Sequence, residues 1–344
     1  MEPIRWGVIG TGPVTSQFAR ALRKMEDAVP LAVISRSEET ATRFAKKHGF
    51  AIPLALGPDV FRRADIDVFY IATPNVTHKD ICLAAIAARK PFVCEKPMTA
   101  SLLEARVVRE AAETAGVFAM EGMWLRFNSV VSRLREELRA ERIGEVLSAD
   151  MHVGYREQPI EAPVRDAKAR DALAVFGCYG ISLAEYLFGA PAMVAASGRA
   201  DAAGAALHSA ITLRYPNFSF VINSSIVATL SNSLRIVGTR GALEIPSHVI
   251  DPARLSSTSF AGRSALGKIR DKFGVIVGAV ADQFPGLQAA RGSGFTNEIA
   301  AVNDCLRKGK TACDINPLSA TLTEHAVMDA ARASLPTTMW QPAS

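Results

Sequence analysis

The sequence predicts an α/β protein of two domains, in which a doubly wound parallel sheet is followed by a sheet-rich α+β domain. Three observations support this prediction. Short apolar runs alternate with amphipathic helical stretches through the first third of the chain, which is typical of βαβ units. Beyond Trp124 the pattern changes to runs that suit an antiparallel sheet. The length of 344 residues also exceeds what one ordinary core requires.

Each predicted strand of the first domain is a short apolar run of the kind that is buried on both faces of a parallel sheet. These strands are Ile4–Ile9, Leu31–Ser35, Asp67–Ala72, Pro91–Cys94 and Val117–Met120. The helices between them are Val14–Met25, Glu38–His48, Thr77–Arg89 and Ser101–Ala115. Ser101 and Glu104 form a capping-box pattern, which marks the start of the last of these helices.

The second domain is predicted to contain a mostly antiparallel sheet with a few helices. Its strands are Val146–Val153, Ala192–Arg199, His208–Arg214, Phe218–Val227, Leu234–Val237 and Ala242–Ile245, with turn residues between several of them. Its helices are Val130–Glu141, Ala172–Phe188, Thr296–Lys308 and Leu318–Ala333. Residues 252–292 give no clear assignment. We therefore expect a first domain at 1–122 and a second at 123–344.

Composition excludes several classes of function. The net charge of +5 is not gathered into a basic stripe, so nucleic acid is not expected as a partner. No uncharged apolar stretch reaches the ~18 residues of a membrane span, and the start lacks a secretory pattern, so a cytoplasmic protein is expected. Metal-binding spacings are absent, so no metal is expected. The five cysteines lack a C-x-x-C pair and are expected to be reduced: Cys82, Cys94, Cys178, Cys305 and Cys313.

The turn after the first strand has the composition of a dinucleotide site. Gly10 and Gly12, with Thr11 between them and Pro13 and Val14 after them, connect the strand to a helix. Glycines allow a tight turn and a close approach of the backbone to a pyrophosphate, whose charge then faces the helix N-terminus. Thr15 replaces the third glycine or alanine of the motif. The alternative is an ordinary turn between a strand and a helix.

The end of the second strand indicates which dinucleotide is bound. NAD enzymes place an acid there to bind the ribose hydroxyls. This chain has Ser35, Arg36 and Ser37 instead, with no acid before Glu38. A guanidinium forms paired, charge-assisted bonds with phosphate, so the triplet favours NADP(H) over NAD(H). The alternative is that Arg36 is a solvated loop residue.

Polar residues also follow the next two strands of the first domain, at the sheet edge where such folds bind ligands. Thr73, Pro74, Asn75 and His78 follow one strand and are assigned to cofactor binding, although Asn75 and Thr77 are equally suited to cap a helix. Glu95 and Lys96 follow the other strand and are also assigned to cofactor binding. A lysine at this edge can polarise a substrate oxygen, and the alternative is a lysine that merely pairs with Glu95.

These segments resemble the Gfo/Idh/MocA oxidoreductase family over nearly the whole chain. The matching segments are Gly7–Gly12, Ala72–His78, Glu95–Pro97, Met120–Phe127, Ile236–Gly241, Gly294–Ile299 and Asp304–Gly309. The Met120–Phe127 segment and the Ser-Arg pair are most similar to the branch that includes dimeric dihydrodiol dehydrogenase and NADP-dependent D-xylose dehydrogenase.

The resemblance implies a Rossmann domain followed by a domain with a large open sheet, which often forms a subunit interface. A homodimer or homotetramer is therefore expected. It also implies that Lys96 assists proton transfer beside the nicotinamide, and that Trp124 and Arg126 lie near the cofactor. A core aromatic and a surface ion pair are the alternatives for these last two residues.

A further implied catalytic residue is Tyr179, which matches a position where many family members carry a tyrosine or histidine. The surrounding segment departs from the family pattern, because Val175 replaces an aspartate and the preceding glycines are missing. Asp171 lies four residues upstream and compensates only if the local backbone differs from a regular helix. A packed helix aromatic is the alternative for Tyr179.

These residues predict hydride transfer between NADP(H) and a carbinol or carbonyl carbon of a sugar, anhydrosugar or dihydrodiol. Tyr179 would exchange the proton, and Lys96 would lower the pKa of its phenol. A cyclitol or a nucleotide-linked sugar is an alternative substrate. A different hypothesis is a dinucleotide-binding sensor with little or no catalysis. The aspartate replaced by Val175 and the missing glycines are compatible with it, whereas the retained Lys96 and Tyr179 argue against it.

Overall fold

The computed structural model describes residues 2–156, 171–201, 204–260 and 293–335. The chain divides into two compact units. The first comprises Met1–Phe127 and Gly294–Asp329, and the second comprises Asn128–Ser293 and Ala330–Ser344. Residues 261–292, most of the stretch without a sequence assignment, lie outside the described residues, as does Arg170 of the segment that precedes Tyr179.

The first unit contains a six-stranded parallel sheet in the order β3-β2-β1-β4-β5-β6. The strands are β1 Ile4–Ile9, β2 Ala28–Ser35, β3 Ile52–Ala55, β4 Val68–Ile71, β5 Phe92–Glu95 and β6 Ala119–Gly122. The order reverses between β1 and β4, and such a switch point is where doubly wound sheets bind their ligands. The predicted fold of this domain is confirmed.

Helices flank this sheet and begin where the sequence indicates. They are α1 Pro13–Leu22, α2 Glu38–His48, α3 His78–Ala87 and α4 Leu102–Ala115. The Ser101 hydroxyl accepts a hydrogen bond from the Glu104 N–H, and the Glu104 carboxylate accepts one from the Ala100 N–H. The Ser101 half of the capping pattern at α4 is therefore present, and it satisfies an N–H group that a helix start leaves unpaired. The Glu104 side chain reaches one residue further, to the Ala100 N–H, instead of the N–H of Ser101.

One edge strand, β3, is absent from the sequence prediction. Its four residues include Pro53, which cannot donate to a sheet ladder and argues against a strand. The structure places this strand at the outer edge of the sheet, next to β2 alone, where a missing donor is tolerated.

The first unit also recruits a distant part of the chain. Within it, the helix α7 (Ser293–Arg307) packs beside β1 and α1. The Trp6 indole donates a 3.1 Å hydrogen bond to the Asn303 side chain, and Phe295 lies edge-on to Phe18. The boundary between the two domains after Gly122 stays a prediction. The first compact unit also includes residues 294–329, which were predicted to belong to the second domain.

The second unit contains a seven-stranded sheet in the order β13-β12-β11-β7-β10-β9-β8. The strands are β7 Val146–Gly154, β8 Met193–Ala200, β9 Ala206–Arg214, β10 Ser219–Ser225, β11 Ser233–Gly238, β12 Gly241–Ile245 and β13 Ser256–Ser259. Every pairing is antiparallel except that of β10 with β7, so the predicted mostly antiparallel sheet is confirmed. The short, serine-rich β13 carries no apolar run that would predict it.

The helices of the second unit are α5 Ser129–Arg139 and α6 Cys178–Phe188, and α8 Leu318–Ser334 runs from the first unit into the second. The helix predicted from Ala172 to Phe188 begins with a π-helical turn at Leu173–Gly177. Gly180 of α6 packs against the sheet so closely that an added Cβ would lie 2.6 Å from Ile222. Among the described residues, no helix is long and apolar enough to cross a membrane.

Candidate functional site

The turn from β1 to α1 is shaped by Gly10. Its φ of +119° is a conformation that favours glycine, and an added Cβ would lie 2.3 Å from the Ala72 carbonyl oxygen. The Gly10 N–H donates to the Ile34 carbonyl, and the Ala72 N–H donates to the Ile9 carbonyl. The ends of β1, β2 and β4 are therefore held together around a residue that must lack a side chain.

The N-terminus of α1 is open beyond this turn. Gly12 precedes the helix and makes no side-chain cap, and Pro13 occupies its first turn. Apart from its two chain neighbours, no described residue places an atom within 4 Å of the position that a Cβ on Gly12 would take. Thr11 and Val14 flank this position and are half-buried. Free N–H groups at a helix N-terminus favour an anion. The turn therefore fits the pyrophosphate of a dinucleotide.

Thr15 occupies the third position of the glycine motif and is fully buried in α1. Its hydroxyl has no hydrogen-bond partner in the described part of the chain. The packing of α1 therefore accommodates a side chain larger than the glycine or alanine that the motif calls for at this position.

The end of β2 is followed by an exposed cation that a ligand can reach. Arg36 is exposed, and no acid among the described residues forms an ion pair with it. Ser35 is half-buried at the end of the strand. The Ser37 hydroxyl serves the start of α2, since it accepts from the Thr40 N–H and donates to the Thr40 hydroxyl at 2.9 Å. The cation of Arg36 is thus the group at this edge best placed to meet a phosphate.

The loop after β4 is stabilised by hydrogen bonds between its own residues. The Thr73 and Thr77 hydroxyls are 2.8 Å apart, and the Thr77 hydroxyl donates to the Pro74 carbonyl. Asn75 lies in the 3₁₀ turn Asn75–Thr77, and neither Thr77 nor Pro74 supplies a side-chain cap to the helix that follows. The polar side chains of this loop therefore hold its shape instead of capping α3.

His78 joins this loop to the loop after β5. It is almost fully buried, with Nε2 2.7 Å from the Thr73 carbonyl oxygen and Nδ1 3.2 Å from that of Pro97. Burial lowers the pKa of His78, against the opposing effect of the carbonyl groups. Since both ring nitrogens face backbone, the geometry favours a role in holding the two loops together. Its assignment to direct cofactor binding stays a prediction.

Glu95 and Lys96 lie at the end of β5. Glu95 is buried; one of its carboxylate oxygens accepts a hydrogen bond from the Tyr70 hydroxyl, and the other accepts one from the Lys96 N–H at 3.1 Å. Lys96 is half-buried, and the peptide bond that follows it is cis. Lys96 thus contacts Glu95 through its backbone, and the charge of Lys96 also favours the ionised carboxylate. The catalytic assignment of Lys96 stays a prediction.

Burial sets the charge state of Glu95. It raises the pKa of this carboxyl to about 6, although the Tyr70 hydroxyl and Lys96 act in the opposite direction. Tyr70 is a functional neighbour that sequence reasoning missed, because the run Val68–Ile71 has only the pattern of a buried strand.

Trp124 and Arg126 lie in the 3₁₀ turn after β6, and both are buried. The Trp124 ring stacks on Phe295 at 5.1 Å, and the Arg126 guanidinium pairs with the Glu324 carboxylate at 2.7 Å, with 2% and 1% of these two side chains exposed. The ion pair is thus buried, not at the surface. This arrangement favours a structural role for both residues, and their assignment to the cofactor stays a prediction.

In the second unit, Tyr179 is buried in the first turn of α6, which packs on β10. The preceding π-helical turn means that the backbone does differ from a regular helix, which was the condition for Asp171 to compensate for Val175. The Asp171 carboxylate is nevertheless engaged elsewhere, by the Leu173 N–H at 2.8 Å and by Arg332 at 3.0 Å. It therefore stabilises the start of the helix.

No group of three or more His, Cys, Asp or Glu side chains is arranged to hold a metal within the described ranges. The five cysteines are all free thiols and buried.

Two family models match the chain. Residues 4–123 match an oxidoreductase family with an NAD-binding Rossmann fold, and residues 131–244 match the C-terminal domain of the same Gfo/Idh/MocA family.

Relatives match along almost the whole length. A trans-1,2-dihydrobenzene-1,2-diol dehydrogenase from Xenopus tropicalis is 28% identical, covering 95% of this chain and 96% of its own. One of the same name from Sus scrofa is 29% identical, covering 89% of each chain.

Solved structures share the fold. A levoglucosan dehydrogenase in complex with NADH and levoglucosan superposes with a TM-score of 0.81 at 18% identity, covering 97% of each chain. A 3-ketoreductase from Actinomadura kijaniata, in complex with TDP-benzene and NADP, gives 0.76 at 19% identity, covering 97% of this chain and 98% of its own.

Proposed function

The chain belongs to the Gfo/Idh/MocA family of oxidoreductases, and from this membership we propose that it is an NADP(H)-dependent enzyme acting on a CH–OH group. The reaction is hydride transfer between the nicotinamide and a carbinol or carbonyl carbon. The substrate is a small dihydrodiol, sugar or anhydrosugar. The observation that carries the choice of NADP(H) is Arg36 at the end of β2, an exposed cation that no acid of the described residues pairs with.

The residues at the sheet edge fit the cofactor. The Gly10–Val14 turn and the start of α1 would hold the pyrophosphate, and Arg36 would hold the 2′-phosphate. The bound nicotinamide supplies the hydride acceptor or donor. Of the other residues assigned to the cofactor, the loop Thr73–His78 lies at the same edge as Lys96, because His78 contacts the carbonyl groups of both loops.

The proton is handled by the chain itself. When a carbinol is oxidised its hydroxyl proton must leave, and we assign its acceptor as the Tyr179 phenol oxygen. A free phenol has a pKa of ~10, so a nearby cation is needed to favour the phenolate at neutral pH, and Lys96 is the residue we assign to this role. The two assignments follow from the family resemblance and are testable together: single and double variants at Lys96 and Tyr179 should show strongly non-additive losses of turnover.

The relatives favour a dihydrodiol as the first substrate to test, since proteins named dihydrodiol dehydrogenase match over nearly the whole chain. Anhydrosugars and TDP-linked compounds are tested next, since the complexes of two structural neighbours contain levoglucosan and TDP-benzene. We also propose a homodimer or homotetramer, because the large open sheet of the second unit is a face that such families use for assembly.

The cofactor proposal is tested by fluorescence titration of wild type, Arg36→Ala and Arg43→Ala with NADPH and NADH. Arg43 is an exposed arginine of α2 and serves as the matched control. We expect tighter binding of NADPH than of NADH in wild type, a loss of about 10- to 100-fold for NADPH in Arg36→Ala, and no such loss in the control. Equal or tighter binding of NADH, unchanged by Arg36→Ala, would refute the NADP(H) assignment.

The rival is a dinucleotide-binding sensor with little catalysis. It is favoured by Val175, which cannot take a proton, and by the engagement of Asp171 with Leu173 and Arg332. The two functions separate in an NADP-linked assay against a panel of dihydrodiols, anhydrosugars and sugars. Turnover of any member that disappears in Lys96→Met supports the enzyme, whereas cofactor binding without turnover across the panel supports the sensor.

A further inference from the structure

Three buried carboxyl groups of the first unit interact beneath the turn that carries Lys96. Glu95 ends β5, Glu121 lies in β6 and Glu298 lies in α7, and each is at most 5% exposed. Of these three carboxyl groups, only Glu95 accepts hydrogen bonds on both oxygens from described residues, namely from the Tyr70 hydroxyl and the Lys96 N–H. Both oxygens of Glu298 lack a hydrogen-bond partner among the described residues. The two hydrogen-bond donors therefore stabilise the charged form of Glu95. No donor among the described residues stabilises a charge on Glu298.

The electrostatics of the cluster agree with this geometry. Burial raises the pKa of Glu298 well above its usual range, and the charge of Glu95 raises it further. The pKa of Glu95 is raised only to about 6, because the Tyr70 hydroxyl and Lys96 oppose the effect of burial. At neutral pH Glu95 is therefore ionised, whereas burial without a donor favours the neutral form of Glu298. The titratable groups that face Glu95 are Tyr70 from β4, Cys94 and Lys96 from its own segment, Glu121 from β6 and Glu298 from α7.

We propose that Glu95 is a positioning residue for Lys96, and that the Tyr70 hydroxyl keeps this carboxylate ionised beneath the lysine. The bond from the Lys96 N–H to Glu95 fixes the backbone of the turn, and the negative charge of Glu95 attracts the positive charge of the Lys96 side chain. The inference rests on the proposed function, since it is there that Lys96 takes part in proton transfer. Tyr70 and Glu95 touch neither substrate nor cofactor in this scheme.

The Tyr70 hydroxyl can be removed without removing its ring. The ring stacks on Phe18 with centroids 3.6 Å apart and planes 4° apart, and Tyr70→Phe preserves this contact. Loss of the hydroxyl removes a donor to the ionised carboxylate. The ionised form of Glu95 is then less favoured, and its titration moves to higher pH.

The test follows the Lys96 side chain directly, with no substrate or cofactor present. Protein labelled with [ε-¹³C]lysine is titrated by NMR, and the Lys96 signal is assigned by its absence from Lys96→Met. In wild type we expect an inflection of this signal near pH 6, as Glu95 changes charge. We expect Glu95→Gln to abolish the inflection and Tyr70→Phe to move it up by about one pH unit.

Glu298→Gln is the matched control, because it replaces one neutral buried group with another of the same shape. It should leave the inflection in place. The proposal is overturned if the wild-type signal shows no inflection or if the inflection persists in Glu95→Gln. It is also overturned if Tyr70→Phe leaves the pH of the inflection unchanged. So does a shift in Glu298→Gln equal to that in Tyr70→Phe. Failure of the cofactor titration or of the substrate panel would undo the proposed function and leave this result standing, so the two failures are distinguishable.

Discussion

At the scale of single residues, burial decides what each charged group is available to do. Arg36 is exposed, and its cation is free of any acid in the described part of the chain, so it can meet a ligand. Arg126 is an arginine of the same chemistry, but its guanidinium is buried against Glu324. Lys96 lies between these extremes, since it is half-buried and its N–H donates to the Glu95 carboxylate. The exposed group suits recognition, the buried pair suits structure, and the half-buried lysine suits proton transfer.

Lys96 belongs to this scale, and its replacement should separate chemistry from binding. We expect Lys96→Met to lower turnover of an active panel substrate by about 10²-fold or more, since general acid–base groups contribute on that order. NADPH affinity should stay within about threefold, because the pyrophosphate and 2′-phosphate are held elsewhere. Lys46→Met, at an exposed position of α2, is the control. Near-normal turnover by Lys96→Met in steady-state assays would refute the assignment of Lys96 to proton transfer.

The buried pair of Arg126 and Glu324 should matter for stability first. Removing one partner leaves an uncompensated buried charge, so we expect Glu324→Gln to lose about 3 kcal/mol of unfolding free energy. The double variant Arg126→Met with Glu324→Met should recover most of that loss, because well-packed apolar side chains can replace a buried ion pair.

Urea unfolding measures the stabilities of these variants, and NADPH titration of the double variant tests the cofactor assignment of Arg126. Binding that survives in a stable double variant removes Arg126 from the cofactor site. Binding that is lost while the fold is retained keeps it there.

At the scale of elements, the turn from β1 to α1 contains two glycines, and the physical reason for glycine differs between these two positions. Gly10 is constrained by the fold, since its φ is positive and a Cβ would meet the Ala72 carbonyl. Gly12 has an ordinary φ of −77° and open space around it. Its lack of a side chain serves no neighbour within the first unit. We infer that the space beside Gly12 belongs to the pyrophosphate.

The two glycines should therefore respond differently to alanine. Gly10→Ala combines a strained φ with a steric clash and should lose about 2 kcal/mol or more of unfolding free energy. Gly12→Ala should fold within about 0.5 kcal/mol of wild type, yet bind NADPH at least tenfold more weakly. Thermal unfolding and cofactor titration of both variants decide the matter. Normal NADPH binding by Gly12→Ala would place the phosphates elsewhere.

At the scale of the whole molecule, the first unit is assembled from two stretches that are far apart in sequence. The Trp6–Asn303 hydrogen bond joins residues 297 positions apart, and Arg307 pairs with Asp27 at 2.7 Å. The end of the first stretch lies beside the start of the second, since the Asn297 amide donates to the Phe127 carbonyl at 2.8 Å. The parallel sheet therefore depends on α7 to cover part of its core.

This arrangement predicts how fragments behave. A chain that joins residues 1–127 to 294–329 through a short Gly/Ser linker should fold and bind NADPH, because the two ends to be joined are already in contact. Residues 1–122 alone should unfold at a clearly lower temperature or aggregate, since the apolar surfaces of β1 and α1 lose their cover. Circular dichroism melts and analytical size exclusion compare the two. Equal stability of the shorter fragment would refute the role of α7.

Much of the fold followed from local pattern. The strands and helices of the first unit lie within a few residues of their predicted bounds, and α2 matches at both ends. The candidate site was predicted in part: Gly10, Arg36 and Lys96 follow three strands of one parallel sheet, and the carboxyl ends of such strands share an edge. The edge strand β3 was missed because Pro53 argues against a strand, and β13 was missed because its serine-rich sequence has no apolar alternation.

The sequence by itself determined the order of elements, the glycine turn and the chemistry at the strand ends, because these depend on neighbours along the chain and on periodicity. The tertiary structure alone decided that residues 294–329 complete the first unit, that Arg126 is paired across 198 positions with Glu324, and that Tyr70 donates to Glu95. These outcomes depend on which distant side chains share a buried, low-dielectric space. Burial determines which partner such a group pairs with and whether the group is charged. The periodicity of residues along the chain does not predict which distant side chains are buried together.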